Sequence, residues 1–125
     1  MLISWKKGYV NVGFLNKMLF QPEHIPMILN GTKTATRRNW KKPMVKVGGI
    51  YKCKTKMLSK NYFAKIKVTK LYKQELIDMS FEDVKKEGYN TIEEFEEVFK
   101  KINKIKGYLD TDIIVSVIEF EVIKK

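Results

Sequence analysis

A two-residue rhythm in the middle of the chain restricts its fold more than any other feature. Ile50 to Lys56, IYKCKTK, alternates Tyr51, Cys53 and Thr55 with Lys52, Lys54 and Lys56. Successive side chains of an extended backbone point to opposite faces, so this spacing predicts a strand with one buried face and one lysine-covered face. Tyr62 to Tyr72 repeats it, with Tyr62, Ala64, Ile66, Val68 and Tyr72 set against Lys65, Lys67 and Thr69. Val47 to Gly49 reads as a turn and Thr34 to Arg38 as extended. Ile113 to Ile123, IIVSVIEFEVI, is the most apolar segment and predicts the central strand of the core.

Helices are marked by their ends. Pro22 to Asn30 predicts a short helix, with Pro22 in its first turn, Glu23 complementing the dipole and Gly31 as a left-handed C-terminal cap. Ser80 to Asp83 forms a capping box for a helix to Lys86 that closes at Gly88. A second box, Thr91 to Glu94, starts a helix to about Lys104, with Ile92, Phe95, Phe99 and Ile102 on one stripe and Gly107 as its stop. Several strands with two or three segregated helices predict an α+β fold, a small barrel, in one domain of 125 residues. Met1 to Leu19 reads as an appended strand or hairpin.

At 44% hydrophobic residues the chain has enough apolar surface to exclude wholesale disorder. Cys53 is the only cysteine and His24 the only histidine, so neither an internal disulfide nor a structural metal site is expected. Cys53 reads as a small core residue and His24 as a helix-surface residue. No stretch has the length of a signal peptide's apolar region or of a membrane span, which makes a cytoplasmic protein the default. The net charge of +11 is unevenly spread: His24 to Gln74 contains fourteen cations and no acid, and thirteen of the fourteen acids lie from Glu75 onward. Such a one-signed stretch favours a polyanionic partner, nucleic acid above all, over a membrane or a protein.

Ile28 to Arg38, ILNGTKTATRR, resembles the signature of the ASCH domain (activating signal cointegrator homology), G-x-K-x-x-T-x-R. VGGIY at Val47 to Tyr51, EGYNTIEEF at Glu87 to Phe95 and VIEF at Val117 to Phe120 agree with it in order. Together these motifs span most of the chain from Ile25 to Val122. The resemblance implies a PUA-like β-barrel that binds RNA, with the signature lysine, threonine and arginine lining a cleft. Lys33, Arg37, Arg38, Trp40, Lys41, Lys42 and Tyr89 are the candidate nucleic-acid contacts, with Trp40 placed to stack on a base or to close one end of the barrel.

Some ASCH proteins are similar to small amidohydrolases that deacetylate N4-acetylcytidine through a lysine, a threonine and a glutamate. By motif position these become Lys33, Thr36 and Glu87, without cofactor or metal. A threonine hydroxyl needs a base to take its proton, and Lys33 could serve if burial and its cationic neighbours lower its pKa. Glu87 would orient Lys33 or carry a proton to the leaving amine. Lys33 and Thr36 would face opposite sides of a regular strand, so the proposal requires Lys33 to lie in the turn before the strand begins. Three expectations stand: an RNA or nucleotide-binding domain, an amidohydrolase, and a protein-interaction module whose acidic Glu93 to Glu97 face docks a basic partner.

Overall fold

A computed structural model describes residues 17–110 and 112–123. Of the segment expected to be an appended strand or hairpin, all but its last three residues lie outside the described residues. Those three form β1 (Lys17–Leu19). A 3-10 turn at Pro22–His24 leads into α1 (Ile25–Leu29), followed by β2 (Ala35–Arg38), β3 (Ile50–Lys54) and β4 (Ala64–Glu75). The chain continues through a 3-10 turn at Leu76–Asp78 to α2 (Phe81–Lys86), α3 (Ile92–Asn103) and β5 (Ile114–Val122).

The five strands make one mixed sheet in the order β1-β3-β4-β5-β2, antiparallel except for the parallel pair β1 and β3. The ladder is open, so the barrel expected from the sequence is not closed by backbone pairing. Its edge strands are three and four residues long. They meet through a side chain instead: Arg38 Nη2 donates to the carbonyl of Leu19 at 2.7 Å. A guanidinium can span a gap that two short edges cannot zip, and short edges also resist pairing with other chains.

β5 is buried on both sides. Ile118 and Phe120 join Met18, Phe20, Ile28, Tyr51, Cys53, Ile66 and Val68 in one core, while Val115 and Val117 pack with Leu76, Phe95 and Phe99 in another. This double cover explains why the segment reads as continuously apolar, whereas β3 and β4 alternate. In β3 the alternation holds for Tyr51 and Cys53 and ends at Lys54, leaving Thr55 exposed. In β4 the pairing with β5 shifts between Val68 and Lys70, so Thr69 is an extra residue. The bulge changes the phase: Leu71 packs on the core opposite Ile118, and Tyr72, expected inside, faces outward. Tyr62 precedes the strand and is exposed as well.

Both capping boxes form, Ser80 with Asp83 and Thr91 with Glu94. α3 ends at Asn103, within a residue of the expected end, but the residue that stops it differs. Lys104 takes the left-handed conformation at φ 57°, so the helix stops there and not at Gly107. Phe95 and Phe99 are buried on its inner stripe, whereas Ile102 is largely exposed and Glu93 and Glu97 face outward. Among the described residues, no helix is long and apolar enough to cross a membrane.

Candidate functional site

Two loops converge beside the free edge of β2. Gly31, at φ 82°, turns the chain out of α1. Lys33 follows, with its N–H donating to the carbonyl of Met27 and the next N–H, from Thr34, donating to the carbonyl of Lys86. These bonds tie the segment before β2 to α1 on one side and to α2 on the other. Lys33 is therefore in the turn, as the motif reading requires, and regular strand begins at Ala35.

The second loop carries Glu87. It caps the C-terminal end of α2, where the helix dipole disfavours a carboxylate. Two cations more than offset that placement. Lys33 Nζ donates to Glu87 Oε1 at 2.8 Å and to the Glu87 carbonyl at 3.2 Å, and Arg37 Nη1 donates to Glu87 Oε2 at 3.0 Å. Lys33, Arg37 and Glu87 are all at most 6% exposed. Gly88 permits the close approach, since its φ is 99° and an added Cβ would meet Met27 Sδ at 2.7 Å.

Arg37 is held on all sides. Besides Glu87, its Nε donates to Gln74 Oε1 at 3.0 Å, and its Nη2 pairs with Asp83 Oδ1 at 3.2 Å. Burial pushes the Asp83 carboxyl up, but the Ser80 N–H, the Arg37 charge, Gln74 and the Ser80 hydroxyl outweigh it, and the net shift is downward. Each of the three guanidinium nitrogens of Arg37 thus has a partner within the protein, Glu87 among them. Thr36 and Arg38 project from the other face of the strand, where Arg38 Nε donates to Thr36 Oγ1 at 3.1 Å. The Arg38 guanidinium lies 4.8 Å from the centre of the Phe20 ring.

An open cavity of about 90 Å³ brings these groups together. Because β2 is an edge strand, side chains from both of its faces reach the space beside it, so Thr36, Arg37 and Arg38 all line it along with Lys33, Glu87 and Tyr89. Phe95, Val98, Phe99 and Ile102 of α3 contribute an apolar part of the lining. Burial drives the Lys33 ammonium well below the ordinary lysine range; Glu87 opposes the shift, and Arg38 and Arg37 reinforce it. Burial also lowers Arg38 to about 10, partly offset by Glu87 and Cys53, so it is still a cation at neutral pH. Lys33 and Thr36 share the cavity without a hydrogen bond between them: the ammonium is engaged by Glu87, and the hydroxyl accepts from Arg38.

His24 departs from its expected place on a helix surface. It is 6% exposed, lines the cavity, and its Nε2 lies 2.6 Å from the Tyr89 hydroxyl oxygen. Burial, then the Lys33 charge, lower its pKa to about 4 against the pull of Glu23. Burial, then the Glu87 charge, push the Tyr89 phenol up to about 12. Both rings are neutral at pH 7. Cys53 is fully buried, as expected of a core residue, and burial lifts its thiol to about 12.

The remaining candidates are elsewhere. Lys41 and Lys42 are exposed in the loop after β2 and do not line the cavity. Trp40 packs, partly buried, against the first core and borders a separate hollow with Met18, Arg38, Met44, Val45 and Met57. Gln74, Asp83 and Phe20 were not legible as site residues. Asp83 already had a local explanation in its capping box, and Gln74 carries no distinguishing signal. A lone histidine beside Pro22 was the one available pointer to His24. Among the described residues, no group of three or more potential ligands could hold a metal ion.

Comparison with known proteins agrees with this arrangement at the level of fold. The chain is similar to an ASCH domain from Lactobacillus crispatus, at TM-score 0.63 and 16% identity over 78% of this chain and 69% of that one. It is similar to the hypothetical protein PH0355, at TM-score 0.63 and 22% identity over 86% and 97% of the two chains. A mutant ASCH protein from Zymomonas mobilis gives TM-score 0.57 and 12% identity over 83% and 66%. No curated protein matches the chain. The ASCH domain family model matches residues 16–124, and the chain therefore belongs to the ASCH family.

Proposed function

We propose that this ASCH domain binds RNA or a nucleotide by taking one base into the cavity beside β2. The observation that carries the reading is the make-up of the lining: apolar side chains of α3 share one cavity with the polar groups of Lys33, Thr36, Arg38 and Glu87. A flat heterocycle needs both, the first to cover its faces and the second to meet its hydrogen-bonding rim. Charge placement fits the same ligand. Glu87 and Asp83 compensate Lys33 and Arg37, whereas Arg38 has no carboxylate within 4.0 Å among the described residues. Arg38, with exposed Lys41 and Lys42 beyond it, is then the cation available to a phosphate.

This reading predicts affinity for single-stranded RNA that falls steeply with salt. For about five phosphate contacts the log–log slope is roughly −3.5, and Arg38→Gln removes roughly 0.7 of it. A titration of a short oligonucleotide from 50 to 300 mM salt checks both numbers. A flat response would remove the proposal.

One observation favours the amidohydrolase as a second reading: buried Lys33, with its lowered pKa, is bonded to Glu87 at 2.8 Å in the cavity that also contains Thr36. In its neutral form, which burial favours, Lys33 accepts the Thr36 proton as Oγ1 attacks the amide carbon. The C–N bond then breaks, a proton passes from Lys33 to the leaving amine, and water hydrolyses the acyl-threonine to the free acid. The Arg38 guanidinium at Thr36 Oγ1 lowers the cost of charge on that oxygen. Acetate release from N4-acetylcytidine is expected, with Lys33→Ala and Thr36→Ala each losing about 10²- to 10⁴-fold while circular dichroism shows the fold retained. Folded wild-type protein that turns over no acylated nucleoside ends this reading and leaves binding untouched.

A further inference from the structure

The outer face of the sheet carries a charge arrangement that folding alone does not reward. The register places Lys17 opposite Lys52 and Lys52 opposite Lys65, so three lysines form one rank across β1, β3 and β4. Like charges directly opposite one another on neighbouring strands repel. The next lysines along β4 are differently placed, with Lys67 opposite Glu121 and Lys70 opposite Glu119 on β5. An acid thus faces each of these lysines across β4 and β5, though neither pair closes to within 4.0 Å, whereas lysine faces lysine across β1, β3 and β4, where Lys17 Nζ donates to the Met57 carbonyl at 2.7 Å. Among the described residues, no carboxylate lies within 4.0 Å of Lys17, Lys52 or Lys65.

An aromatic ring sits inside this rank. The Lys52 and Lys65 ammonium groups lie 5.1 and 5.8 Å from the centre of the Tyr62 ring, which is 40% exposed. Tyr62 also borders a hollow of about 380 Å³, walled by Leu29, Phe63, Lys65, Val122 and Ile123. This hollow shares no lining residue with the cavity beside β2, and His24 and Leu29, at opposite ends of the first helical segment, line one each.

We propose that the Lys17–Lys52–Lys65 rank and the Tyr62 hollow form a second contact surface for single-stranded nucleic acid, separate from the base cavity. The lysines meet successive phosphates, and Tyr62 offers a ring for a base that enters the hollow. A single nucleic-acid strand supplies both features at once, because its phosphate charges are regularly spaced and each nucleotide also carries a planar base. An acidic peptide matches the lysines but not the aromatic hollow, and an anionic bilayer would need a protruding apolar rim where this surface is concave.

The double variant Lys52→Gln/Lys65→Gln tests the surface with oligo-U and oligo-dT as probes, beside Tyr62→Leu and the cavity variant Thr36→Val. The expected result is that the lysine variant reduces the log–log salt slope by about 1.4, a loss of about 25-fold at 0.1 M salt relative to 1 M. Tyr62→Leu is expected to weaken binding about fivefold or more with the slope unchanged. Thr36→Val, in the base cavity, is expected to weaken binding with the slope unaltered, so failure of the cavity reading shows as unchanged affinity in Thr36→Val, and failure of this one shows in the lysine and Tyr62 variants. An unchanged slope in the lysine double variant overturns the proposal. So does binding to vesicles containing phosphatidylserine in the absence of oligonucleotide binding.

Discussion

Glu87→Ala is expected to destabilise the protein by about 3–5 kcal/mol, more than any other single change at the site. The carboxylate is shared by two buried cations, at 2.8 Å from Lys33 and 3.0 Å from Arg37. Its removal takes a partner from each. Arg37 keeps Asp83 and Gln74, but Lys33, at 1% exposure, keeps only the backbone carbonyl of residue 87. For a chain of this size the loss corresponds to a fall of roughly 10–20 °C in Tm by thermal circular dichroism. Adding Lys33→Met to Glu87→Ala should return part of it, because the uncompensated ammonium is then gone. A Tm within a few degrees of wild type for Glu87→Ala would mean that the three groups are not joined as described.

The second large effect is on pH dependence. His24 has its pKa lowered from 6.5 to about 4, chiefly by burial. Above pH 6.5 the imidazole is neutral in both folded and unfolded chains, and the folded state suffers no penalty. Between 6.5 and about 4 the unfolded chain takes up a proton that the folded chain refuses, so stability declines as the pH falls through that window. A shift of this size corresponds to at most roughly 3 kcal/mol, an upper bound because the ring lines an open cavity where water screens charge. Denaturant unfolding at pH 7, 5.5 and 4 measures the decline. His24 is the only histidine, so His24→Gln should flatten the curve between pH 5.5 and 7, where few other groups titrate. Its single imidazole signal in NMR should titrate near 4. A midpoint near 6.5 would place the ring in water and contradict its burial against Tyr89.

These expectations differ in how far they could be read from the residues alone. Glu87, Lys33 and Thr36 were candidates through the signature, and the requirement that Lys33 precede the strand followed from two-residue periodicity. Glu87 also breaks a local rule, as an acid at the C-terminal end of α2, and such a conflict points to a partner elsewhere in the chain. Arg37 was legible as a cation but not as a clamp. Its partners Gln74, Asp83 and Glu87 are 37 to 50 residues distant, and only the placing of α2 and of the end of β4 beside β2 brings them within reach. His24 was misplaced for the same reason, since Tyr89 is 65 residues away in sequence.

What the sequence determined by itself was everything governed by near neighbours. The lysine alternation of β3, the boxes Ser80 to Asp83 and Thr91 to Glu94, and the turns at Gly31 and Gly88 each depend on a few consecutive residues, whose geometry is set by sterics and short-range hydrogen bonds. Tertiary structure alone decided that Thr69 bulges and turns Tyr72 outward, that the sheet stays open with Arg38 reaching Leu19, and which cations are neutralised and which remain free. Those outcomes depend on distances between segments remote along the chain, and burial converts such distances into large energies by removing the water that would otherwise screen each charge.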